Sequence, residues 1–187
     1  MLLAEKVCLI TGGGSGIGEA TAKLFASEGA FVIITDVDEK AANGVVSEIG
    51  PKAKFINCDV TQEKQVHDTI KKIVEIYDRL DCAVNNAGIT GTPSNIEHTT
   101  LENLSNVIAV NLTGVFLCLK HEITQMIKQG SGSIVNVSSG AGLIAVPSMA
   151  AYCASKHALL GLTKTAATEN LLRGIRVNSV LPGSTKT

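Results

Sequence analysis

Short apolar runs alternate with longer stretches of helical periodicity along the whole chain. The apolar runs predict six strands, at Val7–Ile10, Phe31–Thr35, Lys54–Asn57, Cys82–Val84, Ile134–Val137 and Val177–Val180. The stretches between them predict helices at Ile17–Ser27, Glu39–Ile49, Gln62–Tyr77, Leu101–Lys128 and Ala151–Leu172, with Thr61 as the N-cap of the third. Repeated strand–helix–strand units favour an α/β fold, a doubly wound parallel sheet covered by helices, formed by residues 1–187 as one domain.

The first strand ends in a glycine-rich turn that opens the first helix. Glycines at Gly12, Gly16 and Gly18 let the backbone turn tightly and approach a ligand closely. The unpaired N–H groups at the start of the following helix attract negative charge, so the turn suits a pyrophosphate. The strict G-x-G-x-x-G spacing does not occur, and a glycine cluster alone is weak evidence.

Ligands on such a sheet bind beyond the carboxyl ends of the strands, so the residues that follow each strand are candidates. Asp36, about twenty residues after the glycine turn, suits an adenosine ribose, with an Asx turn or helix cap as the alternative. Asp59 and Val60 suit an adenine edge and face, or form a turn before the next helix. Asn85 and Asn86 either tie strand ends together or form a turn.

A tyrosine and a lysine stand four residues apart, at Tyr152 and Lys156, where the last long helix begins. Residues at this spacing share a helical face. Tyrosine has a reference pKa of about 10, and a neighbouring ammonium would move that pKa toward neutral pH, where a phenol can act as an acid or base. The pair alone is common, and a surface contact is the alternative.

These features occur together in the order of one known family. The chain resembles the short-chain dehydrogenases/reductases, of the single-domain NAD type, over essentially its whole length. The resemblance rests on Thr11-Gly-x-x-x-Gly-x-Gly18, Asn85-Asn-Ala-Gly88, Asn111, Ser139, Tyr152-x-x-x-Lys156 and Pro182-Gly183. It implies a Rossmann fold with strand order 3-2-1-4-5-6.

The resemblance implies a catalytic set and a cofactor. Tyr152 would be the general acid/base, Lys156 would lower its pKa and hold the nicotinamide ribose, and Ser139 (rather than Ser138) would bind the substrate oxygen. Asn111 would hold a water that links Lys156 to solvent. Asn86 would contact the cofactor, while Asn85 would brace the central strands.

The expected cofactor is NAD rather than NADP. A carboxylate at Asp36 repels a 2′-phosphate, and neither Ser15 nor Val37 offers a cation. The full set of expected cofactor contacts is Gly12, Ser15, Gly16, Ile17, Gly18, Asp36, Val37, Asp59, Val60, Asn86, Ala87, Gly88, Tyr152, Lys156, Pro182, Thr185 and Thr187.

The family's members run on past the position of Thr187. We therefore expect a C-terminally incomplete NAD(P)-binding domain that lacks the family's seventh strand and its substrate-covering helix. The expected oligomer is a homodimer or a homotetramer, and the helices around Leu112–Lys128 and Ala151–Leu172 would form the dimer interface. An apolar wall at Leu143, Ile144, Val146, Pro147 and Met149, near the Ile89–Asn95 loop, suggests an apolar alcohol or ketone as the substrate.

Composition and charge argue against several classes of function. The net charge is −1, and no basic stripe occurs, which argues against nucleic-acid or membrane-surface binding. Five cysteines without C-x-x-C spacing indicate reduced, mostly buried thiols and a cytoplasmic protein. Four scattered histidines predict no metal site.

The leading hypothesis is an NAD(H)-dependent oxidoreductase that interconverts a secondary alcohol and a ketone. Two alternatives stay open at this point. One is a truncated NAD-binding or self-associating remnant without turnover. The other is an NADP-linked carbonyl reductase, which Asp36 disfavours.

Overall fold

The computed structural model describes residues 1–185 and forms six parallel strands flanked by helices. The strands are β1 (Val7–Thr11), β2 (Phe31–Asp36), β3 (Ala53–Asn57), β4 (Cys82–Asn85), β5 (Gly132–Val137) and β6 (Ile175–Val180). The helices are α1 (Gly16–Ser27), α2 (Glu39–Ile49), α3 (Glu63–Tyr77), α4 (Leu101–Ile108), α5 (Val115–Gln129) and α6 (Ala150–Asn170). The strand order is β3-β2-β1-β4-β5-β6, which confirms the predicted doubly wound topology.

Alternate residues of the strands face two separate cores. In β1, Cys8 and Ile10 pack beneath α1 and α2, while Val7 and Leu9 face the other core, beneath α3, α5 and α6. Successive side chains of a strand point to opposite faces of the sheet, so one short apolar run supplies both layers. Strands buried on both faces explain why the apolar runs are nearly continuous.

The structure corrects two predicted helix boundaries. Gln62, not Thr61, is the N-cap of α3, because the Thr61 hydroxyl donates to Asp59 Oδ1 at 2.8 Å instead of capping the helix. The predicted helix Leu101–Lys128 is also interrupted, because Ala109–Gly114 form a π-helical segment between α4 and α5. Such wide turns occur often at functional sites.

The stretch Leu101–Gln129 is long and apolar enough to cross a membrane by length and composition alone. It contains Asn111 and Glu122, both fully buried and hydrogen-bonded within the protein. Here it packs as a core element against α3, α6 and the sheet. Core helices of globular proteins pass the same composition test, so this stretch is weak evidence for a membrane span.

Candidate active site

The glycine turn after β1 is shaped by close backbone contacts. Gly12 and Gly16 have φ values of +62° and +53°, which favour glycine. A Cβ on Gly18 would collide with the carbonyl oxygen of Gly12, and a Cβ on Gly12 would lie 2.8 Å from Ala87 Cα. Ser15 is the N-cap of α1, but its side chain caps no N–H group. The first turn of α1 therefore has no side-chain cap, as an anion site requires.

Asp36, the last residue of β2, is held by the main chain. Its Oδ2 accepts from Gly14 N at 2.9 Å, and its Oδ1 accepts from Val37 N at 2.8 Å and Asp38 N at 3.0 Å. The bond to Asp38 is the Asx turn considered as the alternative, whereas the cap of α2 is Asp38 itself. The carboxylate also lines the cleft, so the local turn and a ribose contact are compatible.

Asp59 and Val60 follow β3 and lie in the same cleft. Asp59 Oδ1 accepts from Thr61 N at 2.9 Å, and Asp59 N donates to Gln65 Oε1 at 2.8 Å. The predicted turn before α3 thus forms, and the residues that form it also face the cleft.

The two asparagines at the carboxyl end of β4 both brace the sheet. Asn85 Nδ2 donates to Asn136 Oδ1 at 3.0 Å, which confirms its predicted link between neighbouring strands. Asn86 Nδ2 donates to the carbonyl oxygens of Thr11 and Gly12 at 3.1 and 2.8 Å. Asn86 therefore ties two strand ends together, which is one of the alternatives that the sequence offers, and it also lines the cleft, where the family resemblance predicts a cofactor contact.

One cleft crosses the carboxyl ends of the strands, as two cavities that share Ile17, Asn86, Gly88, Ile89 and Tyr152. The first has a volume of about 520 Å³ and the second about 310 Å³. The first is lined by Gly12, Ser15, Gly16, Ile17, Asp36, Val37, Cys58, Asp59, Val60, Asn86, Ala87, Gly88, Ile89, Val110 and Tyr152. The second adds Thr90, Val137, Ser138, Ser139, Lys156, Pro182, Gly183 and Thr185.

Tyr152 and Lys156 lie on one face of the first turns of α6 and reach the second cavity together. The Lys156 Nζ atom is 5.6 Å from the centre of the Tyr152 ring. It donates a hydrogen bond to the carbonyl oxygen of Val137 at 2.8 Å. Burial lowers the pKa of Lys156 to about 8, because a buried ammonium loses hydration.

The two serines after β5 have different surroundings. Ser138 is buried, and its hydroxyl donates to the carbonyl oxygen of Lys156 at 3.0 Å. Ser139 Oγ accepts from Ala141 N at 3.1 Å, and the residue is half-buried in the cavity beside Tyr152. Both serines line the second cavity, and the choice of Ser139 as the residue that faces a substrate stays a prediction.

Asn111 lies in the π-helical segment and is fully buried. Its Oδ1 accepts from Ile89 N at 2.8 Å, and its Nδ2 donates to Ile89 O at 2.8 Å and Ser155 Oγ at 3.1 Å. A Cβ on Gly88 would lie 3.2 Å from Asn111 Oδ1 and 3.5 Å from Lys156 Nζ. Glycine at this position therefore keeps open the space between the two side chains.

Some expected residues lie elsewhere. Leu143 and Ile144 are 68% and 63% exposed, and Val146 and Pro147 line a different cavity, of about 380 Å³, with Ser94–Glu97. Among residues 1–185, the predicted apolar wall does not line the Tyr152 cavity. It lies beside the β4–α4 loop, where Ser94 N donates to Ser148 O at 2.9 Å. Thr187 lies outside the described residues.

Sequence reasoning missed residues that only the tertiary structure brings to the site. Cys58 and Val110 line the first cavity, and no local pattern marks them. Glu122, fully buried on α5, accepts from Asn85 Nδ2 at 3.0 Å, and Asn136 Nδ2 donates to Thr163 Oγ1 at 2.9 Å. In the sequence, this buried network is indicated only by a charged residue, Glu122, among the apolar positions of α5.

Comparison with known proteins agrees with this arrangement. The family model described as short chain dehydrogenase matches residues 6–187. The chain belongs to the short-chain dehydrogenase family. The resemblance inferred from the motifs is thus confirmed.

Relatives within the family include two dehydrogenases and one solved structure. The chain is 40% identical to a 2,5-dichloro-2,5-cyclohexadiene-1,4-diol dehydrogenase of Sphingobium indicum, over 99% of this chain and 74% of that protein. It is 42% identical to a cyclohexanol dehydrogenase of Acinetobacter sp. (strain SE19), over 98% of this chain and 74% of that protein. The crystal structure of an NAD⁺-bound xylitol dehydrogenase matches with a TM-score of 0.97 and 37% identity, over 100% of this chain and 73% of that one.

Proposed function

We propose that this short-chain dehydrogenase interconverts a ring secondary alcohol and its ketone with NAD(H), and that Tyr152 is the general acid/base. The observation that carries the proposal is the meeting of Tyr152, Lys156 and Ser139 in one cavity. That cavity is continuous with the cavity of the glycine turn through residues common to both. A group bound along the glycine turn and a substrate beside Tyr152 would therefore be in contact.

The residues of the first cavity fit a dinucleotide. The missing side chains at Gly12 and Gly18 let the turn pack closely against Ala87 and against itself, and the uncapped N–H groups of α1 would receive the phosphates. Asp36 would accept hydrogen bonds from the ribose hydroxyls, and Val37, which is 70% exposed, provides no cation for a 2′-phosphate. When bound, NAD accepts a hydride from the alcohol carbon, and NADH returns it.

Side chains of the protein would position the substrate and transfer its hydroxyl proton. Tyr152 Oη would take the hydroxyl proton during oxidation and return it during reduction. Ser139 Oγ would hydrogen-bond the substrate oxygen and stabilise the charge that develops there. Lys156, fixed by Val137 O, would place positive charge beside the phenol and hold the nicotinamide ribose.

Asn111 has a positioning role in this proposal. Its amide spans the β4–α4 loop and α6, which it joins through Ile89 and Ser155. The space above Gly88, between Asn111 Oδ1 and Lys156 Nζ, suits the water expected from the family resemblance. That water would connect Lys156 to solvent and replenish the proton.

The direct test is the Tyr152→Phe substitution, with NADH formation followed by absorbance. We expect a loss of about 10²- to 10⁴-fold in kcat/KM, because the phenyl ring lacks the group that transfers the proton. NAD affinity, measured by calorimetry, should change little. Turnover at the wild-type rate would refute Tyr152 as the acid/base.

The substrate class is tested in the same assay. Two of the relatives are named for alcohols on six-membered rings, a cyclohexadienediol and cyclohexanol. We therefore expect cyclohexanol to be oxidised with a higher kcat/KM than an open-chain secondary alcohol with the same number of carbons. An equal or reversed preference would remove the ring alcohol from the proposal but leave the chemistry of Tyr152 intact. The cytoplasmic location and the homo-oligomeric state stay predictions.

A further inference from the structure

Four polar side chains form a buried polar network on the face of the sheet that α5 and α6 cover. Asn85 of β4 and Asn136 of β5 are register partners, and Asn85 Nδ2 donates to Asn136 Oδ1 at 3.0 Å. The same nitrogen donates to Glu122 Oε2 of α5 at 3.0 Å. Asn136 Nδ2 donates in turn to Thr163 Oγ1 of α6 at 2.9 Å. The network therefore joins two strands to two helices.

Packing alone does not explain why this network is polar. All four of its side chains are buried, and burying polar groups costs free energy that apolar residues of similar size would not cost. The preceding register pair on the same face of β4 and β5, Ala83 and Ile134, belongs to the apolar core. The switch from apolar to polar residues thus occurs at the ends of the strands, next to the cleft.

Glu122 sets the direction of the hydrogen bonds in the network. Its carboxyl oxygen turns the amino group of Asn85 toward α5, and the second hydrogen of that group points to Asn136 Oδ1. The nitrogen of Asn136 then faces Thr163, whose hydroxyl donates onward to Leu159 O at 2.8 Å. Without an acceptor on α5, both amides would be free to turn round.

The network lies directly beneath the groups of the catalytic end. Asn136 precedes Val137, whose carbonyl oxygen accepts from Lys156 Nζ at 2.8 Å. Thr163 comes two helical turns after Lys156, so both side chains lie on the same face of α6. β5 and α6 are thus joined twice, by the pair Asn136–Thr163 and by the pair Val137–Lys156. A shift at the first pair would move the carbonyl group that holds the Lys156 ammonium.

We propose that Glu122 is a positioning residue for the catalytic end. Through the two asparagines it holds β5 and α6 at the spacing that places Lys156 beside Tyr152. The inference rests on the proposed function, because this spacing affects turnover only if those two residues take part in the reaction. Glu122 lines neither cavity of the cleft, so its effect is indirect. A displacement of about 1 Å at a reacting group can lower a rate by about 10²-fold, so the effect is large enough to measure.

The test compares two substitutions at one position. Glu122→Gln keeps an acceptor for Asn85 Nδ2, and we expect its kcat to stay close to that of the unsubstituted chain. Glu122→Met has a similar length but lacks the acceptor, so its kcat for the alcohol should fall by about ten- to 10²-fold. The KM for the alcohol and the NAD affinity, measured by calorimetry, should change little, since Glu122 touches neither ligand.

Three outcomes would overturn the inference. The first is an unchanged kcat in Glu122→Met. The second is an equal loss of kcat in Glu122→Gln, which would mean that the acceptor is not what matters. The third is a loss of NAD affinity in place of a loss of kcat, which would assign the network to the cofactor end.

A matched control separates positioning from stability. Met126→Ala, one turn further along α5, removes a fully buried side chain from the same core but no hydrogen bond of the network. We expect a lower midpoint of thermal unfolding and an unchanged kcat at a temperature where the variant is folded. Equal losses of kcat in Met126→Ala and Glu122→Met would show that any loosening of α5 is sufficient, and would contradict a specific role of Glu122.

Thr163→Val tests the far end of the network and remains informative if Glu122→Met does not fold. Valine has a shape similar to that of threonine but cannot accept from Asn136 Nδ2, so kcat should fall, and an unchanged kcat would refute the inference. The double variant should lose little more than Glu122→Met alone, because both residues act through one network. Losses that multiply would mean that the two residues act separately, against the proposal.

The failure of this inference is distinguishable from that of the proposed function. An unsubstituted chain without dehydrogenase activity would refute the proposed function and this inference with it. An active chain in which Tyr152→Phe loses turnover but Glu122→Met does not would refute the role of Glu122 alone.

Discussion

At the cofactor end of the cleft the polar contacts come from the main chain, and at the catalytic end they come from buried side chains. The glycine turn, the start of α1 and the N–H groups that hold Asp36 all lie where β1 and β2 end. Lys156 and Asn111, in contrast, are buried side chains whose polar atoms are bonded to Val137, Ile89 and Ser155. One end depends on backbone shape, and the other depends on the assembled core.

The largest loss of activity should come from a substitution at the catalytic end. Lys156→Met removes the buried ammonium beside Tyr152 but keeps an unbranched chain, so we expect kcat/KM for the alcohol to fall by about 10²- to 10⁴-fold. The fold should persist, because the substitution replaces a buried charge by an apolar group. Thermal unfolding provides the control. A variant that keeps wild-type kcat/KM would show that Tyr152 works without its neighbour.

The Gly18→Ala substitution tests the cofactor end of the cleft. The new Cβ would collide with Gly12 O and approach Asn86 Nδ2 to 2.6 Å, so the glycine turn must move. We expect destabilisation of about 1 to 3 kcal/mol, typical of overpacking, together with weaker NAD binding. Gly161→Ala is a matched control, because nothing lies within 4 Å of a Cβ there. Unchanged NAD affinity in Gly18→Ala would mean that the turn does not cradle the phosphates.

A buried acid beneath the catalytic end makes stability depend on pH. Burial raises the pKa of Glu122 to about 7, and the hydrogen bond from Asn85 lowers it less. A raised carboxyl pKa means that the folded state binds more protons than the unfolded state between pH 4.5 and about 7. The contribution of Glu122 to the free energy of unfolding is thus complete below pH 4.5 and is lost as the pH rises through 7. It amounts to on the order of 2 to 3 kcal/mol.

Glu122→Gln should remove this dependence. We expect the free energy of unfolding of the variant, relative to the unsubstituted chain, to improve between pH 5 and pH 8, as measured by urea denaturation. Glu75→Gln, at an exposed site of α3, is the control and should show little change. A difference that stays constant over that pH range would show that Glu122 does not titrate there.

The smallest expected effect is a change in the preference for NAD over NADP. Asp36→Ala removes the carboxylate from the end of β2, and we expect the preference for NAD over NADP, as a ratio of kcat/KM values, to fall by about tenfold, equivalent to about 1.4 kcal/mol. Part of any loss with NAD itself would come from the turn that Asp36 organises through Gly14, Val37 and Asp38. The Asp36→Asn variant separates the effect of the charge from the effect of the turn, because it keeps a hydrogen-bond acceptor but removes the charge. An unchanged ratio in both variants would exclude Asp36 as the selector.

The same contrast explains what the sequence predicts well. Strand order and the cofactor end follow from apolar runs and from residues just beyond strand ends, which are local signals. The π-helical segment was not predictable from periodicity, because Leu101–Lys128 has a nearly continuous helical pattern. The contacts of Asn111 and Glu122 depend on partners distant in sequence, so their residue types alone do not specify them.

The dual roles of the asparagines and of Asp36 were also beyond the sequence. The sequence offers a structural and a functional interpretation for each of these residues, yet Asp36 forms the Asx turn and faces the cleft at once. Asn86 likewise ties β4 to the glycine turn and lines both cavities. Where a short loop must bind a ligand, the same polar group serves both purposes.

The wide turn at Ala109–Gly114 also fixes the rotational phase of the helix that follows it. Each residue of an α-helix turns the chain by about 100°. Shortening this segment by a single residue would therefore swing Leu119, Glu122 and Met126, all buried against the sheet, toward water. The π-helical segment that places Asn111 between Ile89 and Ser155 thus also sets which residues of α5 face the core.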